Sequence, residues 1–201
     1  MTRIKTHKLF PVPIFEFKIQ NYENINKKLK EYIYKLQEID PKGMKLTNRG
    51  GWHSRYFKIG ENETLKNFVQ IIQKYLAEII NIDFGWECEN GKVIIDGIWS
   101  IINKKNSYNL RHSHPNCILS AAYYVKAKKN SGKIRFYDPK EVKNMRHPFI
   151  KTITDLSAET MNFEPEEGKL LIFPAYLHHA VDENLSDEDR IVISFNVEIL
   201  K

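Results

Sequence analysis

The chain has 201 residues, of which 42% are hydrophobic and 12% are aromatic. This length predicts a single domain over residues 1–201, and the composition excludes an intrinsically disordered chain. No stretch is apolar over the roughly 20 residues that a membrane-spanning helix needs, and the basic N-terminus lacks the apolar segment of a secretory signal. We therefore predict a soluble, cytoplasmic protein with no membrane partner.

The formal net charge is +6, with 31 lysines and arginines against 25 aspartates and glutamates. The lysines are dispersed and are not interleaved with aromatic residues, so a nucleic-acid partner is not expected. The two cysteines, Cys88 and Cys117, form no CxxC pair, which disfavours a disulfide scaffold and a cysteine-based zinc site. A two-fold homodimer is compatible with the sequence, which does not decide it.

The first third of the chain predicts a strand followed by two helices. Residues 9–17 are rich in strand formers, and prolines near their start suit an edge strand. Over residues 22–39, apolar side chains recur at helical spacing. Residues 47–54 are interpreted as a loop because they contain a glycine pair. A second helix then carries an apolar stripe at Leu65, Phe68, Val69, Ile72, Leu76 and Ile79.

From about residue 92 the sequence predicts a succession of strands separated by turn-forming residues. About eight strands at this spacing predict a mainly β fold with flanking α-helices and a double-stranded β-helix core of the jelly-roll or cupin-like type. Residues 1–91 would supply the first strand and the supporting helices, and residues 92–201 the core. Residues 141–151 are predicted to form a loop over one face. The predicted strands are 93–102, 109–114, 118–126, 133–137, 160–163, 169–173, 177–182 and 191–199.

Two histidines one residue apart, His112 and His114, are the most informative feature of the chain. Side chains alternate along a strand, so both histidines are expected to point the same way. A third histidine on a distant strand would close a three-point metal site, and an iron that activates oxygen needs such a face with open positions beside it. We choose His179 as this ligand, because it shares a strand face with Leu177 and Val181. Its neighbour His178 is expected to lie behind the ligands or to face solvent.

The last predicted strand has one apolar and one polar face, and the polar face carries Arg190, Ser194 and Asn196. Burying a guanidinium without an anion is costly, and a carboxylate bound through two hydrogen bonds is its natural partner. On the strand predicted at 118–126, small residues leave room, and Tyr124 can donate its hydroxyl to the same carboxylate. We therefore predict a pocket for a small acidic molecule, with Ser194 and Asn196 as further candidates for its lining.

A series of short motifs spans most of the chain. The motifs are Phe10-Pro11, Gly50-Gly51-Trp52-His53-Ser54, Trp99, Tyr108-Asn109, His112-Ser113-His114-Pro115, Leu119-Ser120, Tyr123-Tyr124-Val125, Ser131-Gly132, Phe136, Asp138-Pro139, Pro165-Glu166-Glu167-Gly168, Phe173-Pro174, Leu177-His178-His179-Ala180-Val181, Asn184, and Arg190-Ile191-Val192-Ile193-Ser194-Phe195-Asn196. In this order they resemble the 2-oxoglutarate/Fe(II) oxygenase family, in a bacterial and phage group related to prolyl 4-hydroxylases.

The resemblance implies a jelly-roll core in which His112, His114 and His179 hold Fe(II). It implies that 2-oxoglutarate chelates the iron through its keto acid end and that its far carboxylate pairs with Arg190, helped by Tyr124. Molecular oxygen would take the remaining position. The chain would then be a dioxygenase, an oxidoreductase that hydroxylates a substrate which the sequence does not identify. The relation to prolyl hydroxylases makes a protein side chain one candidate.

One departure from the wider superfamily lies at His114, where a carboxylate is usual. A neutral imidazole there leaves the site one charge more positive, which the 2-oxoglutarate dianion would offset. Asp138 or Asp182 is a further source of a carboxylate. Two other functions stay open: a three-histidine metal dioxygenase that does not use 2-oxoglutarate, and a non-enzymatic jelly-roll structural or binding protein. His53 is interpreted as a structural histidine, and Trp99 as a core residue.

Overall fold

Two antiparallel β-sheets face each other, and two helices pack on one of them. The structure is a computed structural model that describes residues 4–86, 92–140 and 148–200. In these ranges the helices are α1 (Tyr22–Ile39) and α2 (Glu63–Glu78), with a 3-10 turn at Ile59–Glu61 and a π-helical turn at Ile79–Asp83. The strands are β1 (Phe15–Lys18), β2 (Asn48–Arg49), β3 (Trp52–His53), β4 (Lys92–Asn103), β5 (Tyr108–His112), β6 (Leu119–Lys126), β7 (Ile134–Tyr137), β8 (Thr160–Phe163), β9 (Lys169–Pro174), β10 (His179–Val181) and β11 (Arg190–Leu200).

The strand order places the predicted site residues on central strands. The larger sheet has the order β1-β9-β6-β11-β4-β3, and the smaller has the order β2-β5-β10-β7-β8. β11 is hydrogen-bonded to β4 on one side and to β6 on the other. β10 lies in the same way between β5 and β7. Arg190 and His179, the first residues of β11 and β10, are therefore held on strands that are supported on both sides.

The helices cover the larger sheet, as predicted. Leu29 of α1 and Phe68 of α2 are fully buried and share one hydrophobic core with Phe195 of β11. α2 begins where the side chain of Asn62 accepts a hydrogen bond from the backbone N–H of Leu65 at 2.9 Å. The apolar face of β11 thus packs against the helices, which turns its other face toward the smaller sheet.

Two N-terminal segments differ from their predictions. β1 begins at Phe15 instead of residue 9, because Phe10 has a φ of 56° and the prolines that follow cannot donate to a ladder. The segment interpreted as a loop contains β2 and β3 instead, joined through Gly50 and Gly51. β2 pairs with β5 in the smaller sheet, and β3 pairs with β4 in the larger one. This segment therefore passes from the edge of the smaller sheet to the edge of the larger one.

Parts of the predicted organisation lie outside the described residues. These are Cys88 and residues 141–147 of the predicted loop. The division into a supporting part and a core at residue 92 stays a prediction. In the part of the chain that the structure describes, no helix combines the length and the apolar character needed to cross a membrane.

Candidate active site

Three histidines converge between the sheets. His112 is the last residue of β5 and lies directly opposite His179 in the β5–β10 ladder. His114 follows two residues later, where its backbone N–H donates to the carbonyl of Ala175. One ligand atom from each ring lies within 4.8 Å of the others, and the ring centroids are 4.3 to 5.2 Å apart. One metal ion can therefore contact all three rings after small rotations.

Backbone carbonyls fix the tautomers of two of these rings. Nδ1 of His112 lies 2.7 Å from the carbonyl oxygen of Leu110, and Nδ1 of His179 lies 3.0 Å from that of Leu177. A carbonyl can only accept, so Nδ1 carries the hydrogen in both rings and Nε2 is left with a lone pair. This arrangement is typical of histidines that bind metals, because the second hydrogen bond orients the ring. The neighbouring His178 is exposed and lies outside the cluster.

Burial keeps the cluster neutral at physiological pH. It lowers the pKa of His179 to about 3, with a further contribution from the nearby His112. Burial and the neighbouring histidines likewise lower the pKa of His114 to about 4. The pKa of His112 is lowered as well, again mainly by burial. Neutral imidazole is the form that binds a metal, so the site needs no proton release at neutral pH.

These shifts predict that acid destabilises the metal-free protein. In the unfolded chain each histidine is protonated below its ordinary pKa of 6.5, whereas folded His114 and His179 stay neutral to about pH 4 and about pH 3. The unfolded state then binds more protons, so the free energy of unfolding falls as the pH drops below 6.5. The slope is at most about 1.4 kcal/mol per pH unit for each histidine. Urea denaturation across this range measures the slope, which should be smaller in His179→Gln. Equal slopes in both proteins would contradict the assignment.

A cavity of about 220 Å³ adjoins the histidines. Arg190, Tyr124 and Ser194 line it, as does the aromatic side chain of Phe173. Arg190 is only 1% exposed, and its Nε is one of three buried side-chain atoms without a hydrogen-bond partner in the described part of the chain. The hydroxyls of Tyr124 and Ser194 are not among these three atoms, yet no hydrogen bond from either to another described residue is found, so each keeps some accessible surface. Two hydroxyl donors that no described acceptor satisfies therefore line the cavity, beside a buried guanidinium.

The charges at this end suit an anion. Burial lowers the pKa of Arg190 to about 10, which still leaves the guanidinium charged at pH 7. Burial raises the pKa of Tyr124 to about 12, so its hydroxyl keeps the proton that it can donate. A buried positive charge beside a neutral hydroxyl is costly unless an anion joins it. The arrangement can thus accept one carboxylate.

Carbonyl oxygens hold the guanidinium in place. Nη1 of Arg190 donates to the carbonyls of Ser131 and Gly132, the latter at 2.9 Å, and approaches that of Asp182 at 3.4 Å. Gly132 has a φ of 91°, which favours glycine. A Cβ added there would lie 2.2 Å from the Asp182 carbonyl and 2.5 Å from Nη1. Glycine is therefore required for this close approach.

Gly132→Ala is expected to lower the free energy of unfolding by more than about 2 kcal/mol, since the backbone conformation alone costs about 1–2 kcal/mol for alanine. The clash with the Asp182 carbonyl adds to this cost. Gly60→Ala is the matched control, because an added Cβ there would meet no atom within 4 Å. Urea denaturation of both variants checks the difference. A Gly132→Ala variant as stable as Gly60→Ala would contradict the packing around Arg190.

The structure separates the two other polar residues of β11. Ser194 lines the cavity, whereas Asn196 accepts a hydrogen bond from the Ser120 hydroxyl at 2.7 Å and is not part of the lining. Neither alternative carboxylate joins the histidines. The Asp182 side chain pairs with Arg135 at 3.2 Å, and Asp138 accepts from the backbone N–H of Lys140. Among the described residues, the metal cluster therefore consists of histidines alone.

Other residues of the cavity were not predicted as metal or cosubstrate ligands, although the segment 48–56 was expected to shape the substrate entrance. His53 and Trp99 line it, together with Tyr56 from the end of the β2–β3 segment. Asn103 and Asn109 are also in the lining, and the Asn103 amide donates to Asn109 at 3.1 Å. The Tyr108-Asn109 motif, three residues before His112, was the signal that could have identified Asn109.

A family model described as "Putative 2OG-Fe(II) oxygenase" matches residues 97–196. This match contains all three clustered histidines and Arg190. The chain belongs to the 2-oxoglutarate/Fe(II) oxygenase family. Enzymes of this family are oxidoreductases that use Fe(II), 2-oxoglutarate and O2, so the predicted class of enzyme and its cofactors are confirmed. No curated protein matches the chain.

Solved structures share the fold of this oxygenase at low sequence identity. A prolyl-4-hydroxylase from Pseudomonas putida has a TM-score of 0.65 at 13% identity, with 93% of this chain and 92% of that chain covered. HygX from Streptomyces hygroscopicus, with nickel, 2-oxoglutarate and hygromycin B bound, has a TM-score of 0.61 at 9% identity, with 92% and 82% covered. A viral collagen prolyl hydroxylase from Paramecium bursaria Chlorella virus-1 has a TM-score of 0.56 at 14% identity, with 90% and 94% covered. The predicted double-stranded β-helix core with flanking helices is thereby confirmed.

The donor set of the oxygenase fits this cofactor pair. Imidazole nitrogens suit iron, and three of them form one face that leaves other positions open. Arg190, Tyr124 and Ser194 line the same cavity as the histidines. A small dicarboxylate can therefore contact both the metal and the buried guanidinium.

Proposed function

We propose that His112, His114 and His179 hold the iron of this oxygenase and that Arg190 anchors the far carboxylate of 2-oxoglutarate. The observation that carries the proposal is the buried guanidinium of Arg190, a residue that lines the cavity beside three neutral imidazoles and whose Nε has no partner among the described residues. Tyr124 would donate to the same carboxylate, whereas Ser194, four residues after Arg190 along β11 and opposite Trp99, would line the other end of the cavity. Asn196 would not contact 2-oxoglutarate and would act indirectly, since its side chain accepts a hydrogen bond from the Ser120 hydroxyl.

The ligand set gives the cosubstrate an electrostatic role. Three neutral imidazoles leave Fe(II) with its full charge of two, whereas a carboxylate ligand would offset one unit. The 2-oxoglutarate dianion offsets both units. Binding of the cosubstrate and of the metal should therefore support each other, because separating the charges is costly in a partly buried site.

When bound, iron and 2-oxoglutarate supply the oxidation of a substrate C–H bond by O2, with conversion of 2-oxoglutarate to succinate and CO2. The contribution of the chain is to position and shield this chemistry. Leu110 and Leu177 orient two of the imidazoles through their carbonyl groups. Phe173 packs edge-to-face on His179, with a centroid distance of 4.8 Å, and helps exclude water from the metal.

The size of the cavity supports the side chain of a polypeptide as the substrate group. Pockets that enclose whole small molecules measure about 300–1,000 Å³. The cavity of this enzyme measures about 220 Å³ and must also hold the cosubstrate. The remaining space suits one side chain presented by a larger molecule. The prolyl hydroxylases among the solved structures with a similar fold act on such side chains. A cytoplasmic location and a homodimer stay predictions.

Succinate formation tests the proposed function. The purified protein, supplied with Fe(II), ascorbate and 2-oxoglutarate in air, should release succinate slowly even without a substrate, and omission of iron should abolish the release. A three-histidine dioxygenase that does not use 2-oxoglutarate is the second candidate, which the absence of a carboxylate ligand among the described residues favours. It would consume oxygen without forming succinate, and Arg190→Met would leave that consumption unchanged.

A further inference from the structure

A wall of three aromatic side chains, His53, Tyr56 and Trp99, lines the cavity next to the histidine cluster. Trp99 lies at its centre. Its ring is parallel to that of His53 (interplanar angle 11°, centroid distance 5.8 Å), and its centroid is 5.6 Å from that of Tyr56. The Trp99 centroid also lies 5.7 Å from that of His114. The aromatic wall therefore borders the metal centre directly.

The aromatic wall and the proposed carboxylate anchor are at different ends of the cavity. In the β4–β11 ladder, Trp99 lies opposite Ser194, whereas Arg190 lies opposite Asn103. Four residues of extended strand separate the two positions, which corresponds to about 13 Å at a rise of about 3.3 Å per residue. When Arg190 holds a ligand, the aromatic wall therefore stays free to contact a second molecule.

The indole of Trp99 has a donor without an acceptor. The side chain is only 5% exposed, and no hydrogen bond from its Nε1–H to another described residue is found. Nε1 is not among the fully buried atoms without a partner, so it keeps some accessible surface. Trp52 shows the contrast, because its Nε1 donates to the carbonyl of Asp40 at 2.8 Å. A buried indole usually finds a partner. Trp99 is thus left with a donor for a ligand in the cavity it lines.

His53 supplies an acceptor beside this donor. It is 3% exposed, and its Nδ1 lies 2.7 Å from the carbonyl oxygen of Ser54. A carbonyl can only accept, so Nδ1 carries the hydrogen and Nε2 of the neutral ring has a free lone pair. No hydrogen bond of Nε2 to another described residue is found, and Nε2 is not among the fully buried atoms without a partner, so it keeps some accessible surface. The aromatic wall therefore offers one donor and one acceptor on stacked rings.

We propose that Trp99 and His53 bind an amide group of a polypeptide substrate, with Trp99 donating to the amide oxygen and His53 accepting from the amide N–H. A carboxylate would satisfy only Trp99, and an ammonium group only His53. An amide satisfies both, and its flat surface packs well against aromatic rings. This inference rests on the proposed function, since it identifies the substrate group at the same site.

The test uses nuclear magnetic resonance of the indole N–H groups. The protein is loaded with Zn(II), which is diamagnetic, and with 2-oxoglutarate. It is then titrated with N-methylacetamide, N,N-dimethylacetamide or acetone. Trp99→Phe assigns the Trp99 resonance, and Trp52, already bonded to Asp40, is the internal control. We expect N-methylacetamide to shift the Trp99 resonance saturably and to bind about fivefold more tightly than the two probes that cannot donate. The Trp52 resonance should not move.

His53→Phe keeps an aromatic ring and removes the acceptor, so the advantage of N-methylacetamide should disappear in this variant. The exposed His178 provides the control variant, His178→Phe, which should behave like the wild type. Equal affinity for all three probes in the wild type, or no shift of the Trp99 resonance, would overturn the proposal even if His53→Phe did not fold. The titration needs no turnover, and 2-oxoglutarate binding is measured separately by calorimetry, so failure of the proposed function would be seen independently.

Discussion

His179→Ala is expected to remove stable iron binding from the protein. His179 is 4% exposed and stands at the start of the central strand of the smaller sheet, and among the described residues only His112 and His114 share its cluster. Loss of a residue that merely orients a ligand weakens metal binding about 10–100-fold, so loss of the ligand itself should weaken it at least about 100-fold. Anaerobic calorimetric titration with Fe(II) measures the change.

His178→Ala is the matched control for this experiment. The two histidines are adjacent, but His178 is exposed and is not part of the cluster. His179→Gln tests the same loss with less change of volume, and urea denaturation shows whether each variant still folds. Equal iron affinity in the wild type and His179→Gln, or equal losses in both alanine variants, would contradict the ligand assignment.

Arg190→Met is expected to weaken 2-oxoglutarate binding on the order of 100-fold or more, while iron binding by the histidines persists. Methionine retains an unbranched stem but cannot pair with a carboxylate. Removing one partner of a buried, hydrogen-bonded charge pair costs about 2–5 kcal/mol. Calorimetric titration of the metal-loaded variant with 2-oxoglutarate measures the loss. Urea denaturation measures separately the free energy of unfolding that is lost with the hydrogen bonds from Arg190 to the carbonyls of Ser131 and Gly132.

Arg135→Met provides the matched control. Arg135 lies on β7, pairs with the Asp182 carboxylate and is not part of the cavity lining. Its replacement removes a positive charge from the same sheet region without touching the proposed anchor, so 2-oxoglutarate should bind with nearly the wild-type affinity. If Arg190→Met binds 2-oxoglutarate as well as Arg135→Met does, the far carboxylate is held elsewhere.

The sequence predicted much of the β framework, because alternation along a strand is a local property. It separated the faces of β11, so the apolar residues were assigned to the helix-covered core and Arg190 to the interior between the sheets. It also favoured His179 over His178, and the structure places His179 within the cluster. The predicted strand at 109–114 was too long. β5 ends at His112, and His114 is placed by a backbone bond to Ala175 that no local pattern reveals.

The substrate end of the cavity could not be predicted in this way. His53 and Trp99 look like structural and core residues in the sequence, and both are indeed nearly inaccessible to solvent. Their place in the cavity depends on the pairing of β3 with β4, which joins residues about fifty positions apart. Ser194 and Asn196 share a strand face, yet only Ser194 lines the cavity, because Ser120 on the neighbouring strand engages Asn196.

The visible spectrum of the anaerobic protein with Fe(II) and 2-oxoglutarate tests the central claim most directly. Chelation of the iron by the keto acid gives a metal-to-ligand charge-transfer band that neither component shows alone. We expect this band in the wild type and its absence in His179→Gln at the same concentrations. Arg190→Met should need far more 2-oxoglutarate to develop it. A wild-type protein that binds iron but develops no band at saturating 2-oxoglutarate would contradict the proposed centre.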